Sequence, residues 1–155
     1  GLQVVVKGKD NAPVGDAARP RASDGVTLWV DTRDARTSHR ASRYCHQFHF
    51  LAAGGGAERD EPAFVQAKIN RARQDAPLSP ATAVPFRCER TANGYRLEAL
   101  LPAAVLHGFD PEQNPRLGVC YLVHDNELGD QVLSVGTDFP VAEDPSLWSV
   151  LELVR

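Results

Sequence analysis

Apolar and polar positions alternate with a period of two along much of this chain, in short runs. Val26, Leu28 and Val30 fall on one side of an extended segment, with Thr27, Trp29 and Asp31 on the other. Val65, Ala67 and Ile69 alternate in the same way with Gln66, Lys68 and Asn70. This is the period of a strand, whose successive side chains point to opposite faces. Along the whole chain the pattern predicts nine strands: Leu2–Lys7, Val26–Thr32, Tyr44–Leu51, Phe64–Asn70, Val84–Arg90, Tyr95–Leu101, Leu117–His124, Gln131–Val135 and Leu147–Val154. Leu117, Val119, Tyr121 and Val123 alternate with a set that is itself partly apolar, which places that strand centrally with both faces covered.

Turn signals punctuate these runs. Asn93-Gly94 between two of them predicts a hairpin closed by a type I′ turn, because that turn needs positive φ at both central residues. Pro102 and Gly108 bracket the one predicted helix, a short one near 102–108. Gly54-Gly55-Gly56 reads as a flexible loop tip, without the Lys-Ser/Thr and helix of a phosphate-binding loop. Nine strands and one short helix predict an all-β fold, a two-sheet antiparallel β-sandwich.

Composition narrows the function classes. A chain of 155 residues is read as a single domain, 1–155, and because it opens directly on a strand there is room for earlier strands ahead of it. A net charge of −3 argues against nucleic-acid binding through bulk charge. No apolar run reaches the roughly 20 residues of a membrane-spanning helix, so neither nucleic acid nor membrane insertion is expected, while the oligomeric state stays open. Cys45, Cys88 and Cys120 are an odd set without a C-x-x-C pair, which points to buried free thiols, leaves one disulfide possible and argues against cysteine-bound zinc.

Several segments, in order, resemble a known family. Asp24-Gly-Val-Thr-Leu-Trp-Val-Asp31 is similar to the D-x-V-E-I-F-I-D strand of the carbohydrate-binding module family 9-like (DOMON-like) group. Tyr95-Arg-Leu-Glu98-Ala-Leu-Leu-Pro102 with Leu106 resembles its Y-x-x-E-x-x-I-P-x-x-x-L segment. Arg116 to Asp125 resembles the next strand with its acidic loop, and Asp144-Pro-Ser-Leu-Trp148 to Leu153 the closing strand. The resemblance covers about residues 20 to 153 and implies a jelly-roll sandwich, sugar binding without catalysis, and in some members structural calcium. It also implies export, whereas unpaired cysteines point to a reducing compartment, so localisation stays open.

Candidate chemistry lies in two places. Trp29 shares a strand face with Thr27 and Asp31, where an aromatic ring can stack on the C–H face of a pyranose. Members of the resembling group hold a sugar between two aromatic rings, and Trp148 is the second tryptophan here; the alternative is that both are packed. The densest polar stretch holds Arg33, Arg36, His39, Arg40, Arg43, His46 and His49 after Asp31 and Asp34. It reads either as a pocket for an anionic or polyhydroxyl ligand or as internal Asp–Arg pairing. Trp29 as platform with Arg33, Arg43 and His46 as polar contacts is the expected ligand site. His46 and His49 point to opposite strand faces and do not share a metal. Asp125, Asn126, Glu127 and Asp130 offer oxygen ligands for calcium, or simply a solvated turn; otherwise no cofactor is expected. No G-x-S-x-G elbow or other hydrolytic motif is present, so no enzyme activity is expected. The expectation is a non-catalytic carbohydrate or polyhydroxyl binder, the alternative a structural or protein-interaction module without a sugar site.

Overall fold

The computed structural model describes residues 1–154. Nine strands appear in the predicted order: β1 (Leu2–Lys7), β2 (Gly25–Asp31), β3 (Cys45–Gly55), β4 (Glu61–Ala67), β5 (Phe86–Thr91), β6 (Gly94–Ala99), β7 (Arg116–Asp125), β8 (Gly129–Val132) and β9 (Ser149–Glu152). They form two antiparallel sheets. The smaller runs β1-β6-β5; the larger runs β4-β3-β2-β7-β8, with β9 beside β8 on the far edge of β7.

The alternation read from the sequence decides which residues meet between the sheets. Val26, Leu28 and Val30 of β2 and Phe48, Phe50 and Ala52 of β3 face Val6 of β1 and Tyr95 and Leu97 of β6. Phe50 bridges the layers, its ring 5.3 Å from Phe64 of β4 and 5.5 Å from Phe86 of β5. The opposite face of the larger sheet is not solvated. Trp29, Cys45, Cys120 and Leu122 pack there under Ala41, Ile69, Val141 and Trp148, which come from loops and segments outside the sheets. Every residue of β2 is therefore buried.

Three expectations need correction. The β5–β6 hairpin forms, but Thr91 pairs with Gly94, so Ala92 and Asn93 make its turn. Neither Asn93 nor Gly94 has positive φ, and the turn is not type I′. Gly94 is needed for another reason: a Cβ there would lie 1.9 Å from the Val6 carbonyl oxygen, inside the neighbouring β1. The helix near 102–108 shrinks to one 3₁₀ turn at Ala103–Val105, closed by Val105 and Leu106 N–H groups donating three residues back. Gly54 and Gly55 also belong to the end of β3 instead of a loop tip.

All three cysteines are free thiols. Burial pushes Cys45 up to about 12, and Cys88 and Cys120 to about 11, so none is poised as a nucleophile.

Trp29 tests the double burial of the larger sheet. Its ring is 0% exposed and its Nε1–H donates to Gln47 Oε1 at 2.7 Å. Trp29→Ala should cost about 3–5 kcal/mol of stability, read as a lowered urea midpoint. An unchanged midpoint would mean that the loop cover does not close over this face.

Candidate functional site

The structure sorts the Arg/His-rich stretch into groups that hold the fold and groups that do not. Asp31 is buried and accepts the backbone N–H groups of Arg33 at 2.9 Å and Ala35 at 2.8 Å. Burial pushes its carboxyl up, with those two N–H groups pulling the other way. Asp34 pairs with Arg36 at 2.8 Å and lies 4.0 Å from Arg116. Arg36 also donates to the Trp148 carbonyl, and Arg40 to the Arg71 carbonyl, tying this loop to two others. These are structural roles.

Arg33 and Arg43 are placed differently. Their guanidinium carbons lie 4.8 Å and 5.1 Å from the centre of the same ring, Tyr44. Arg43 donates to the Tyr44 hydroxyl at 3.0 Å. That hydrogen bond, then the charge of Arg43, hold the phenol below its ordinary pKa. Among the described residues neither arginine takes part in a carboxylate ion pair. Tyr44 in turn stacks on the exposed ring of His107, with centroids 5.5 Å apart and planes 13° apart.

Buried groups fix this surface from below. Thr32, which follows β2 directly, donates its backbone N–H to the Tyr44 carbonyl and its hydroxyl to the His107 carbonyl at 2.8 Å. The His107 N–H donates to His46 Nε2 at 2.9 Å. His46 therefore carries its proton on Nδ1, which faces the Val30 carbonyl at 3.4 Å. Gly108, at φ +77°, completes the arrangement, since a Cβ there would sit 2.5 Å from the Tyr44 ring. Two aromatic rings and two guanidiniums are thus held on a preorganised patch built from the loop before β3 and the loop before β7.

Of the four expected ligand residues, Arg33 and Arg43 meet on this patch, and His46 supports it from beneath instead of reaching a ligand, being 1% exposed. Trp29 is a correction. It does occupy the face opposite Val26, Leu28 and Val30, but that face is roofed by loops, so the ring presents no stacking surface. Trp148 is likewise buried, its Nε1–H donating to the Val141 carbonyl at 2.6 Å, and the two tryptophans do not form an open sandwich. Sequence reasoning missed Tyr44 and His107 as site residues. Tyr44 stood beside Arg43 as a signal, but the contact to His107, 63 positions along, is set by the fold.

The acidic loop has a different use. Lys9 reaches into it, its ammonium 2.6 Å and 2.8 Å from the two Asp125 oxygens, 3.3 Å from Asp24 and 3.6 Å from Glu127. Asp24 also accepts the N–H groups of Val14 and Asn126, Asp125 those of Glu127 and Leu128, and Glu127 those of Asp10 and Asn11. Asp130 pairs with His124. The lysine lies where a cation bridging Asp24, Asp125 and Glu127 would lie. Burial lowers the Lys9 pKa, but the hydrogen bond to Asp125 and the charges of Asp24 and Asp125 outweigh it, and the amine stays charged. Glu98 is likewise held, by Arg87 and Gln3.

Lys9→Met should leave two buried carboxylates without a counter-charge and cost about 3–5 kcal/mol, measured by urea unfolding at pH 7. An unchanged midpoint would show that these carboxylates relax to solvent. A second expectation concerns pH. Burial holds both His46 and His49 at about 4, with the Val30 carbonyl opposing it for His46 and the charge of Arg21 reinforcing it for His49. Unfolded histidine titrates near 6.5, so the unfolded state takes up protons first as pH falls. Stability should be full above about pH 6.5 and fall as pH drops towards 4, by on the order of 3 kcal/mol per histidine. Urea midpoints from pH 7.5 to 4.5 check this. His49→Gln should flatten the profile, and an equally steep one would assign the drop to other groups.

No family model matches the sequence, and no curated protein matches it. Two solved structures of a family 9 carbohydrate-binding module from Caldicellulosiruptor kristjanssonii are similar to it. One, in complex with glucose, has a TM-score of 0.58 and 14% identity over 96% of this chain and 65% of that one. The other, in complex with cellotriose, has a TM-score of 0.59 and 14% identity over 98% of this chain and 68% of that one. This chain spans about two thirds of their length. At such identity the likeness is one of architecture: the chain has the β-sandwich fold of a family 9 carbohydrate-binding module.

Proposed function

We propose that this chain is a non-catalytic binding module whose ligand is a carbohydrate or a related polyhydroxyl compound, held at the Tyr44–His107 patch. The observation that carries the reading is the patch itself. A tyrosine ring backed by a histidine ring, rimmed by guanidiniums free of carboxylate partners, supplies both contacts a sugar needs. The exposed His107 ring, lying parallel on Tyr44, offers its outer face to the C–H face of a pyranose, and the guanidinium N–H groups donate to its hydroxyls. Buried Thr32 and His46 fix the loops beforehand, so little ordering entropy is lost on binding. The fold likeness to structures that hold glucose and cellotriose supports the same reading. Catalysis has no support in the geometry. His39, Asp144 and Ser146 come together, but Ser146 Oγ and Asp144 both approach His39 Nδ1, at 3.1 Å and 3.2 Å. A nucleophile and its orienting acid need opposite ring nitrogens.

The test is titration with a panel of mono- and oligosaccharides followed by calorimetry and by the Tyr44 and His107 NMR signals. Saturable binding should be lost in Tyr44→Ala while the unfolding midpoint stays within about 1 kcal/mol of the parent, as for a partly exposed side chain outside the core. Binding that survives Tyr44→Ala would move the site elsewhere. No binding across the panel would favour the interaction-module reading. That reading has its own support in β1, an edge strand with Val5 43% exposed beside Leu128 at 48%.

A further inference from the structure

We infer that the ligand of the Tyr44 patch is a negatively charged saccharide, one that carries its charge as a carboxylate or a sulfate ester; this rests on the reading of the patch as a sugar site. The arginines of this loop region fall into two groups. Arg36 and Arg40 are committed, to Asp34 and the Trp148 carbonyl and to the Arg71 carbonyl respectively. The two nearby aspartates are committed as well. Asp31 is filled by backbone N–H groups, and Asp34 by Arg36 and Arg116. Among the described residues Arg33 and Arg43 are left as positive charges that no ion pair neutralises, both over one aromatic ring.

A neutral sugar does not need this. Hydroxyl groups are bonded as well by amides or carboxylates, and two like charges near one ring repel each other. A guanidinium over an aromatic ring with no carboxylate partner has N–H groups to spare, even after Arg43 gives one to the Tyr44 hydroxyl, and its forked edge matches the two oxygens of a carboxylate or sulfate. The exposed His107 ring, stacked on Tyr44 by its inner side, meanwhile offers its outer face to the rest of the sugar. His107 adds a further imidazole to the same surface and brings no negative charge to it.

The experiment compares four probes on the full chain by calorimetry, at about 50 mM and 300 mM salt: an oligogalacturonate, a sulfated oligosaccharide, neutral cellotriose and inorganic sulfate. The expected result is binding of an acidic oligosaccharide that is tighter than cellotriose and weakened by salt. It should fall by about tenfold or more in Arg33→Gln and again in Arg43→Gln, with unchanged unfolding midpoints. Whether the galacturonate or the sulfated probe binds more tightly tells which oxyanion is the ligand's own. Cellotriose binding as tightly, with both arginine variants unaffected, overturns the charge inference and leaves the sugar site standing. Inorganic sulfate binding as tightly as the oligosaccharides overturns it in favour of a simple anion site. No saccharide binding at all overturns both the inference and the reading beneath it.

Discussion

The constraint from which the rest follows is the burial of β2 on both faces. A strand with β3 on one side and β7 on the other has its backbone satisfied, but its side chains still need two covers. The smaller sheet supplies one, over Val26, Leu28 and Val30. It has only three strands, and no third sheet exists for Thr27, Trp29 and Asp31. Their cover is assembled from loops, which explains why the connections carrying Ala41, Ile69, Val141 and Trp148 are long and still hold apolar residues. A long loop in such a domain is normally functional or disordered; here much of the loop length is core.

Double burial also explains the polar residues of that second face. Thr27 bonds to His49 Nδ1 at 2.8 Å and Trp29 to Gln47, each across the β2–β3 pair. Every polar atom taken under the roof needs a partner, and cross-strand neighbours are the nearest available. A face of this kind looks, in sequence, like a binding face, since it mixes an aromatic ring with polar groups. Only the presence of the roof separates the two cases.

That ambiguity sets what was legible. Strand existence and side-chain parity depend on local alternation, and all nine strands lie where the pattern puts them, within a few residues. The Val26-Leu28-Val30 face was readable for the same reason. Coverage was not, because it depends on segments such as 133–148 returning over β2 from far along the chain. The Ala92-Asn93 turn was misread because glycine after asparagine has two explanations, a positive φ or a close approach, and β1 supplies the second. Lys9 gave no local signal, since its carboxylates lie 15 and 116 positions away. Within the Arg/His stretch the residue types were visible, but the division between Arg36 and Arg40 on one side and Arg33 and Arg43 on the other required knowing which carbonyls came within reach.

The two ends of β2 show the same chemistry resolved in opposite ways. Asp24 stands immediately before the strand and Thr32 immediately after it, roughly 26 Å apart for an extended segment of this length. At the first end, charges are drawn inward and neutralised: Lys9 meets Asp24 and Asp125 with side chains almost wholly out of water, and backbone N–H groups fill the remaining lone pairs. Removing a charged pair from water is costly unless its geometry and hydrogen bonds are complete, and here they are. That end is a closure and has nothing left to offer a ligand. At the second end Thr32 and His46 are buried and hydrogen-bonded and the buried Asp31 is filled by backbone N–H groups, while the charges of Arg33 and Arg43 stay outside on Tyr44. Those buried hydrogen bonds hold the surface in place, and among the described residues the two guanidiniums enter no carboxylate ion pair. The end of the sandwich proposed to bind a ligand is the one whose arginines the fold does not pair with carboxylates.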